Sequence, residues 1–125
     1  MSQMDREFDV IVFGATGFTG YLTAEYLLNQ YGLGDDLRWA IAGRSPEKLD
    51  NTRARLQTDT GVDTTSLSTL VADASDLELM RDLASRTHVV CTTVGPYALY
   101  GSQLVEACAL TGTHYCDLTG EVHWI

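Results

Sequence analysis

Short apolar runs alternate with longer segments of helical periodicity along the whole chain. The apolar runs are rich in β-branched residues, as is typical of strands buried on both faces of a parallel sheet. They predict five strands, at Val10–Phe13, Trp39–Ala42, Leu67–Ala72, His88–Val94 and His114–Leu118. The strict alternation of strands and helices predicts an α/β domain with a doubly wound parallel sheet of strand order 3-2-1-4-5.

Four helices are predicted between these strands from the spacing of apolar residues. The first is expected to end at Gly32 or Gly34, and the second to begin with Ser45 as its N-cap. A capping box is predicted at 75–78, and the polar stretch 57–66 is predicted to be a loop. The predicted buried faces are Phe18, Leu22, Tyr26, Leu27 and Leu28 in the first helix, Leu49 and Leu56 in the second, Leu77, Met80, Leu83 and Ala84 in the third, and Leu104, Val105, Cys108 and Ala109 in the fourth.

Three evenly spaced glycines stand between the first predicted strand and the first predicted helix. Their G-x-x-G-x-x-G spacing is a variant of the dinucleotide fingerprint of Rossmann domains. Gly14 lets the chain turn sharply, Gly17 lets backbone N–H groups approach a pyrophosphate, and Gly20 lets the helix pack close to the sheet. The alternative is a purely structural turn. We predict a phosphate-binding turn at the helix N-terminus, made of Gly14, Ala15, Thr16, Gly17, Phe18, Thr19 and Gly20.

The end of the second predicted strand indicates which dinucleotide is bound. A domain built for NAD places a carboxylate there to accept hydrogen bonds from the ribose, whereas this chain has Ala42-Gly43-Arg44-Ser45. Arg44 can pair with a 2′-phosphate, Ser45 can donate a hydrogen bond to it, and Lys48 follows one turn later. The alternative is that Arg44 is a solvated loop residue. The pattern favours NADP over NAD.

Two further segments are expected at the carboxyl edge of the sheet. Asp73 follows the third strand and is predicted either to cap the next turn or to accept from the adenine amino group. Gly95, Pro96 and Tyr97 end the fourth strand, beside the point where the strand order reverses and ligands bind in open α/β sheets. Gly95 would allow close approach of the cofactor, and Tyr97 or Tyr100 could form one wall of the nicotinamide site. The alternative is ordinary turn chemistry with aromatic packing.

No catalytic residue is identified by its pattern. The Tyr-x-x-x-Lys pair of short-chain dehydrogenases is absent, because Lys48 is the only lysine and no tyrosine lies four residues before it. A metal site is disfavoured, since none of the candidate ligands has the spacing of a recognised site. These candidates are His114, Cys116, Asp117, Glu121 and His123. Asp117 and Glu121 could instead touch a substrate or anchor a following domain.

Composition restricts the classes of partner. A net charge of −9 disfavours nucleic acid and anionic membranes, although a helix N-terminus and one arginine can still hold an anionic cofactor locally. Cys91, Cys108 and Cys116 show no C-x-x-C pair and lie in apolar segments, which predicts buried, reduced thiols. No stretch reads as a signal peptide or a membrane span. We expect a cytoplasmic protein.

Four blocks of the sequence resemble the saccharopine dehydrogenase-like oxidoreductases, which include the trans-acting enoyl reductases. They are Phe8–Gly20, Ala40–Arg44, Val94–Gly101 and Gly112–Glu121. The resemblance implies an NADP-binding Rossmann domain in which Gly14, Gly17, Gly20, Arg44 and Gly95 match the cofactor positions. It also implies hydride transfer to or from a substrate that a second, C-terminal domain holds.

Two hypotheses follow for residues 1–125. In the first, they form the dinucleotide-binding domain of a longer NADP-dependent oxidoreductase, and the substrate domain is lacking. In the second, they form a free-standing, non-catalytic module that binds NADP(H) as a sensor or as a partner subunit. In either case the exposed edge of the sheet offers a surface for homo-oligomerisation.

Overall fold

The computed structural model of the chain describes residues 6–34, 36–93 and 102–117. Five strands and four helices alternate within these residues. The strands are β1 (Phe8–Phe13), β2 (Trp39–Gly43), β3 (Ser68–Val71), β4 (Thr87–Thr92) and β5 (His114–Cys116). The helices are α1 (Phe18–Tyr31), α2 (Pro46–Thr60), α3 (Leu77–Ser85) and α4 (Ser102–Thr111).

The strands form one parallel sheet in the order β3-β2-β1-β4-β5, which confirms the predicted topology. Successive side chains of a strand point to opposite faces, and β1 shows this directly. Val12 packs in a core cluster with residues of α1 and α2. Its neighbour Ile11 packs in a second cluster with residues of α3 and α4. The helices therefore cover both faces of the sheet, as a doubly wound fold requires.

The predictions for the end of α2 and for the start of α3 are wrong. Residues 57–60 belong to α2, which ends where Gly61 adopts a positive φ of 75°, because a left-handed glycine stops a helix better than polar composition does. The capping box at 75–78 is absent. Asp76 is the N-cap of α3 and its side chain accepts from the Leu79 N–H at 3.2 Å, while the Ser75 hydroxyl donates to Asp73 instead.

The predicted buried face of α1 is wrong at Phe18, Leu22 and Tyr26, whereas Leu28 is buried as predicted and Leu27 is half-buried. Phe18 is 80% exposed and Tyr26 is 59% exposed, and Leu22 is exposed as well. The residues that α1 buries are Gly20, Tyr21, Ala24 and Leu28. The apolar residues of α1 occupy both sides of the helix, so periodicity could not identify the side that meets the sheet.

Smaller corrections apply to α4 and to the cysteines. Val105 and Ala109 of α4 are exposed, and Ala107 takes their place beside Leu104 and Cys108. Cys116 is exposed rather than buried, since it lies on the edge strand β5. Among the helices that the structure describes, none combines the length and apolar character needed to cross a membrane.

The side chain of Arg6, which precedes β1, is buried against the C-terminal ends of α3 and α4. It is only 6% exposed. Its guanidinium donates to the carbonyl oxygens of Ala84, Thr87 and Thr111 and to the hydroxyl of Thr113. A cation suits this position because Ala84 and Thr111 carry carbonyls at the negative C-terminal ends of α3 and α4.

Candidate cofactor-binding site

The turn between β1 and α1 is built from backbone hydrogen bonds. The Gly14 N–H donates to the Ala42 carbonyl of β2 at 3.0 Å, and the Gly17 N–H donates back to the Gly14 carbonyl at 3.1 Å. Gly14 has a φ of 99°, which a residue with a Cβ rarely adopts. The chain can therefore leave the sheet and enter α1 within a few residues only because position 14 is glycine.

The third glycine lets α1 approach this turn closely. A Cβ added to Gly20 would lie 2.1 Å from the Gly14 carbonyl oxygen and 2.7 Å from Thr93 Oγ1. Thr93 follows β4, and its hydroxyl donates to the same Gly14 oxygen at 3.3 Å. The close packing predicted for Gly20 is thus present, and it connects the turn to both β1 and β4.

The N-terminus of α1 differs from those of the next two helices. Ser45 caps α2 and Asp76 caps α3 with side-chain hydrogen bonds, and each of these helices has a glutamate in its first turn. Gly17 caps α1 without a side-chain hydrogen bond, and the first turn of α1 contains no acidic residue. Its first N–H groups and the positive end of its dipole are therefore available to interact with an anion.

Gly17 itself leaves space rather than filling it. A Cβ added there would meet only the Gly14 carbonyl oxygen within 4 Å among the described residues, at 3.6 Å. Its φ of −88° and ψ of 172° suit any residue. The backbone of the turn therefore does not require glycine at this position, in contrast to positions 14 and 20.

A cleft of about 520 Å³ opens beside this turn. One wall is the turn itself, and the other is a face of α2. The lining residues are Thr16, Gly17, Lys48, Asn51, Thr52 and Arg55. Lys48 was predicted for the site, whereas Asn51 and Arg55 were not. Their spacing of three and seven residues from Lys48 places them on the same side of α2, and that spacing was a signal that could have indicated them.

Arg55 is held in place by its neighbours. Its guanidinium carbon lies 4.1 Å from the centre of the Tyr21 ring, and its Nε lies 3.5 Å from Asp59 Oδ2. The Tyr21 hydroxyl donates to the same carboxylate. Burial, followed by this carboxylate, raises the pKa of Tyr21 to about 12. The cation on the cleft wall is thus oriented by groups of both α1 and α2.

The residues that follow β2 bring further polar groups to the carboxyl edge of the sheet. Arg44 is exposed. The hydroxyl oxygen of Ser45 accepts from the Lys48 N–H at 3.2 Å, which leaves its proton available to donate. Arg44 precedes this cap in the chain and Lys48 follows it, and of the two only Lys48 lines the cleft.

Asp73 caps a turn in the structure, which is one of its two predicted roles. It accepts from the Ser75 N–H at 2.9 Å and from the Ser75 hydroxyl at 2.8 Å. These bonds, with the nearby positive charge of Arg44, lower the pKa of the Asp73 carboxyl. Hydrogen bonding to adenine stays a prediction.

Several predicted positions lie outside the described residues, namely Gly95, Pro96, Tyr97, Tyr100, Glu121 and His123. The described residues 92 and 93 lead toward the first of these, from a strand that is parallel to β1. Within the three described ranges, no group of three or more His, Cys, Asp or Glu side chains is arranged to hold a metal ion.

Comparisons with known proteins identify relatives of the chain. Trans-acting enoyl reductases from Mycobacterium leprae and Mycobacterium tuberculosis are 50% and 48% identical to the chain over 122 residues. Each alignment covers 98% of this chain but 28% of the relative, so the chain spans little more than a quarter of the length of these curated relatives.

Solved structures share the fold at low sequence identity. Apo saccharopine dehydrogenase from Saccharomyces cerevisiae is 14% identical with a TM-score of 0.63, and the match covers 94% of this chain and 23% of that one. Triphenylmethane reductase from Citrobacter sp., complexed with NADP(H), is 21% identical with a TM-score of 0.66, and covers 87% and 36%. The family described as saccharopine dehydrogenase NADP binding domain matches residues 10–123. The chain belongs to this family of NADP-binding domains.

Proposed function

We propose that this domain holds NADP(H) for an oxidoreductase that transfers hydride between the nicotinamide and a substrate bound by a second domain. The observation that carries the proposal is the uncapped N-terminus of α1, which has glycine at its N-cap and no acid in its first turn. In the other two helices with a described N-cap, the N-cap side chain accepts a hydrogen bond from a backbone N–H of the first turn. A diphosphate is the ligand that such a turn suits best.

The residues present fit this cofactor. The space beside Gly17 would receive the pyrophosphate, and the first N–H groups of α1 would donate to it. Lys48 and Arg44 would hold the phosphate on the adenosine side, with Ser45 as a hydroxyl donor. The bound nicotinamide would supply or accept the hydride. The described residues would position the cofactor and neutralise its charge, and none of them is proposed as a proton donor or acceptor.

A preference for NADP(H) over NAD(H) is part of the proposal. Arg44 stands where an NAD-binding domain would have a ribose-binding carboxylate, and Lys48 is exposed one turn later. A charge-assisted contact to the 2′-phosphate contributes about 1.5–3 kcal/mol, which is about one to two decades of affinity. Salt weakens such a contact when it is exposed, so the preference should shrink as ionic strength rises.

The substrate class is proposed from the relatives alone. They are named as enoyl reductases that act in trans, which supports an acyl chain with a conjugated carbon–carbon double bond as the hydride acceptor. The chain covers only a fraction of those relatives, so this step belongs to the whole protein rather than to the residues described here.

The test is a titration of the chain with NADPH and NADH at two salt concentrations. Wild type should prefer NADPH, and Arg44→Ala should weaken NADPH by about one to two decades while changing NADH much less. Arg81→Ala is the matched control, because Arg81 is an exposed arginine on α3 whose described ion pair is with Glu78. Equal losses for both cofactors would mean that Arg44 serves adenine or packing. Failure of wild type to bind either cofactor would overturn the proposal.

A further inference from the structure

Two cysteines face each other across neighbouring strands at the edge of the sheet. Cys91 of β4 and Cys116 of β5 are direct register partners. Neighbouring strands lie about 4.8 Å apart, which is inside the range of about 4.4–6.8 Å between Cα atoms that a disulfide can bridge. Register partners in adjacent strands point to the same face, so the two thiols are on one side of the sheet.

Among the described residues, the face that these thiols occupy is less covered than the other. The preceding register pair, Val90 and Tyr115, packs with the core cluster of α3 and α4. Cys91 and Cys116 therefore point to the opposite side, where the strand residues of the core cluster belong to β1 and β2. Cys91 is half-buried and Cys116 is exposed, and both are free thiols. A small reagent can reach the pair through Cys116.

The two thiols also influence each other. Burial and the adjoining Cys116 thiol raise the pKa of Cys91 to about 11. Cys91 is thus held as a protonated partner beside a more accessible thiol. Solvent access to one cysteine and a second cysteine beside it are two of the features that redox-sensor sites share.

We propose that Cys91 and Cys116 form a redox-sensitive dithiol that a hydroperoxide converts into a reversible cross-strand disulfide. The Cys116 thiolate attacks one peroxide oxygen, the O–O bond breaks, and Cys116 becomes a sulfenic acid while water or an alcohol leaves. The Cys91 sulfur then attacks the Cys116 sulfur, gives up its proton and displaces hydroxide, which leaves as water. Two thiols are oxidised to one disulfide, and one peroxide is reduced.

Cys108 provides an internal contrast. It lies on α4 within the other core cluster and is buried, and its burial raises the pKa of its thiol to about 11. It points away from the face that carries the pair. The same oxidant should therefore leave it unmodified.

The experiment treats the 125-residue chain with stoichiometric hydrogen peroxide, alkylates the remaining thiols under denaturing conditions and maps the peptides. Residues 87–125 contain no lysine or arginine, so cleavage after Glu106 replaces trypsin to separate Cys91 from Cys116. A Cys108→Ala chain makes the assignment of the linked peptide unique. Cys91→Ser and Cys116→Ser serve as the variants in which no peptide linked between positions 91 and 116 can form.

Wild type and Cys108→Ala are both expected to lose two alkylatable thiols and to yield the linked peptide, and dithiothreitol should reverse the change. Oxidation should raise the unfolding temperature of these two proteins and not that of either serine variant, because a disulfide constrains the unfolded chain. Oxidation of Cys116 to a sulfinic acid with Cys91 still alkylatable would overturn the proposal. A disulfide only between the Cys116 residues of two chains would do the same.

Discussion

An added methyl group should reduce the stability of the fold at one glycine of the β1–α1 turn and the affinity for NADPH at another. At Gly20 the new Cβ would lie 2.1 Å from the Gly14 carbonyl oxygen and 2.6 Å from its carbon. Both are backbone atoms, so no rotamer change relieves the overlap. The helix would have to move away from the turn, and it would lose packing against β1 and β4.

The size of this effect can be bounded. Overpacking a tight site costs about 1–3 kcal/mol and occasionally more, and an overlap with fixed backbone belongs at the upper end of that range. Native domains are stable by only about 5–15 kcal/mol. Gly20→Ala should therefore lower the free energy of unfolding by about 3 kcal/mol and shift the urea midpoint visibly.

At Gly17 the new Cβ would lie 3.6 Å from its nearest described neighbour, the Gly14 carbonyl oxygen, at an ordinary contact distance. Alanine is a poorer N-cap than glycine, so the expected loss of stability is no more than about 1 kcal/mol. The methyl group would instead occupy the space proposed for the pyrophosphate. Gly17→Ala should therefore keep the fold and lose NADPH affinity at least tenfold.

Urea unfolding and NADPH titration of the two variants, each compared with wild type, decide the matter. Wild-type stability in Gly20→Ala would refute the packing argument. Wild-type NADPH affinity in a folded Gly17→Ala chain would show that this glycine is structural and that the phosphate site lies elsewhere.

Three further predictions concern stability. Arg6→Met should lower the free energy of unfolding by about 2–4 kcal/mol, because buried carbonyl oxygens lose their donor, and denaturant unfolding measures the loss. Leu28→Ala should cost about 2–5 kcal/mol, whereas the exposed Leu22→Ala should cost about 0.5 kcal/mol or less in the same assay. Stability should fall between pH 10 and 12, because unfolding releases Tyr21 to ionise at its ordinary pKa, and Tyr21→Phe should remove this part of the pH dependence; an unchanged slope in that variant would contradict the argument.

The strand order could be predicted from the sequence because it follows from local signals. Each strand is a short apolar run, each is followed by a helical segment, and right-handed crossovers then allow few arrangements. The sharp turn at Gly14 and the N-cap role of Ser45 were predictable in the same way, since each depends on residues within one turn of the chain.

The buried side of α1 could not be predicted, because it depends on contacts that are distant in sequence. Tyr21 turns inward because its hydroxyl reaches Asp59 and its ring lies under Arg55, both on α2. Phe18 and Leu22 are as apolar as the residues that replace them in the core. No count of apolar positions along one helix distinguishes two such faces.

The pairing of Cys91 with Cys116 and the burial of Arg6 could not be predicted from the sequence for a related reason. Both depend on which distant segments lie next to each other, and for the two cysteines this is set by the register of β4 and β5. A shift of β5 by one residue against β4 would send Cys116 to the other face of the sheet. Only the observed register brings the two thiols together.

The net charge of −9 and the binding of a polyanionic cofactor are compatible because the relevant interactions are short. At physiological ionic strength, charges separated by more than about 8 Å are largely screened, so acidic residues elsewhere on the surface contribute little at the cleft. The groups at the cleft are the uncapped N-terminus of α1 on one side and Lys48 and Arg55 of α2 on the other. Asp59 reduces the effect of Arg55, since the two form an ion pair. Among the described residues that line this cleft, Lys48 is therefore the cation that we propose for a phosphate, and Arg44 would add its charge from the end of β2.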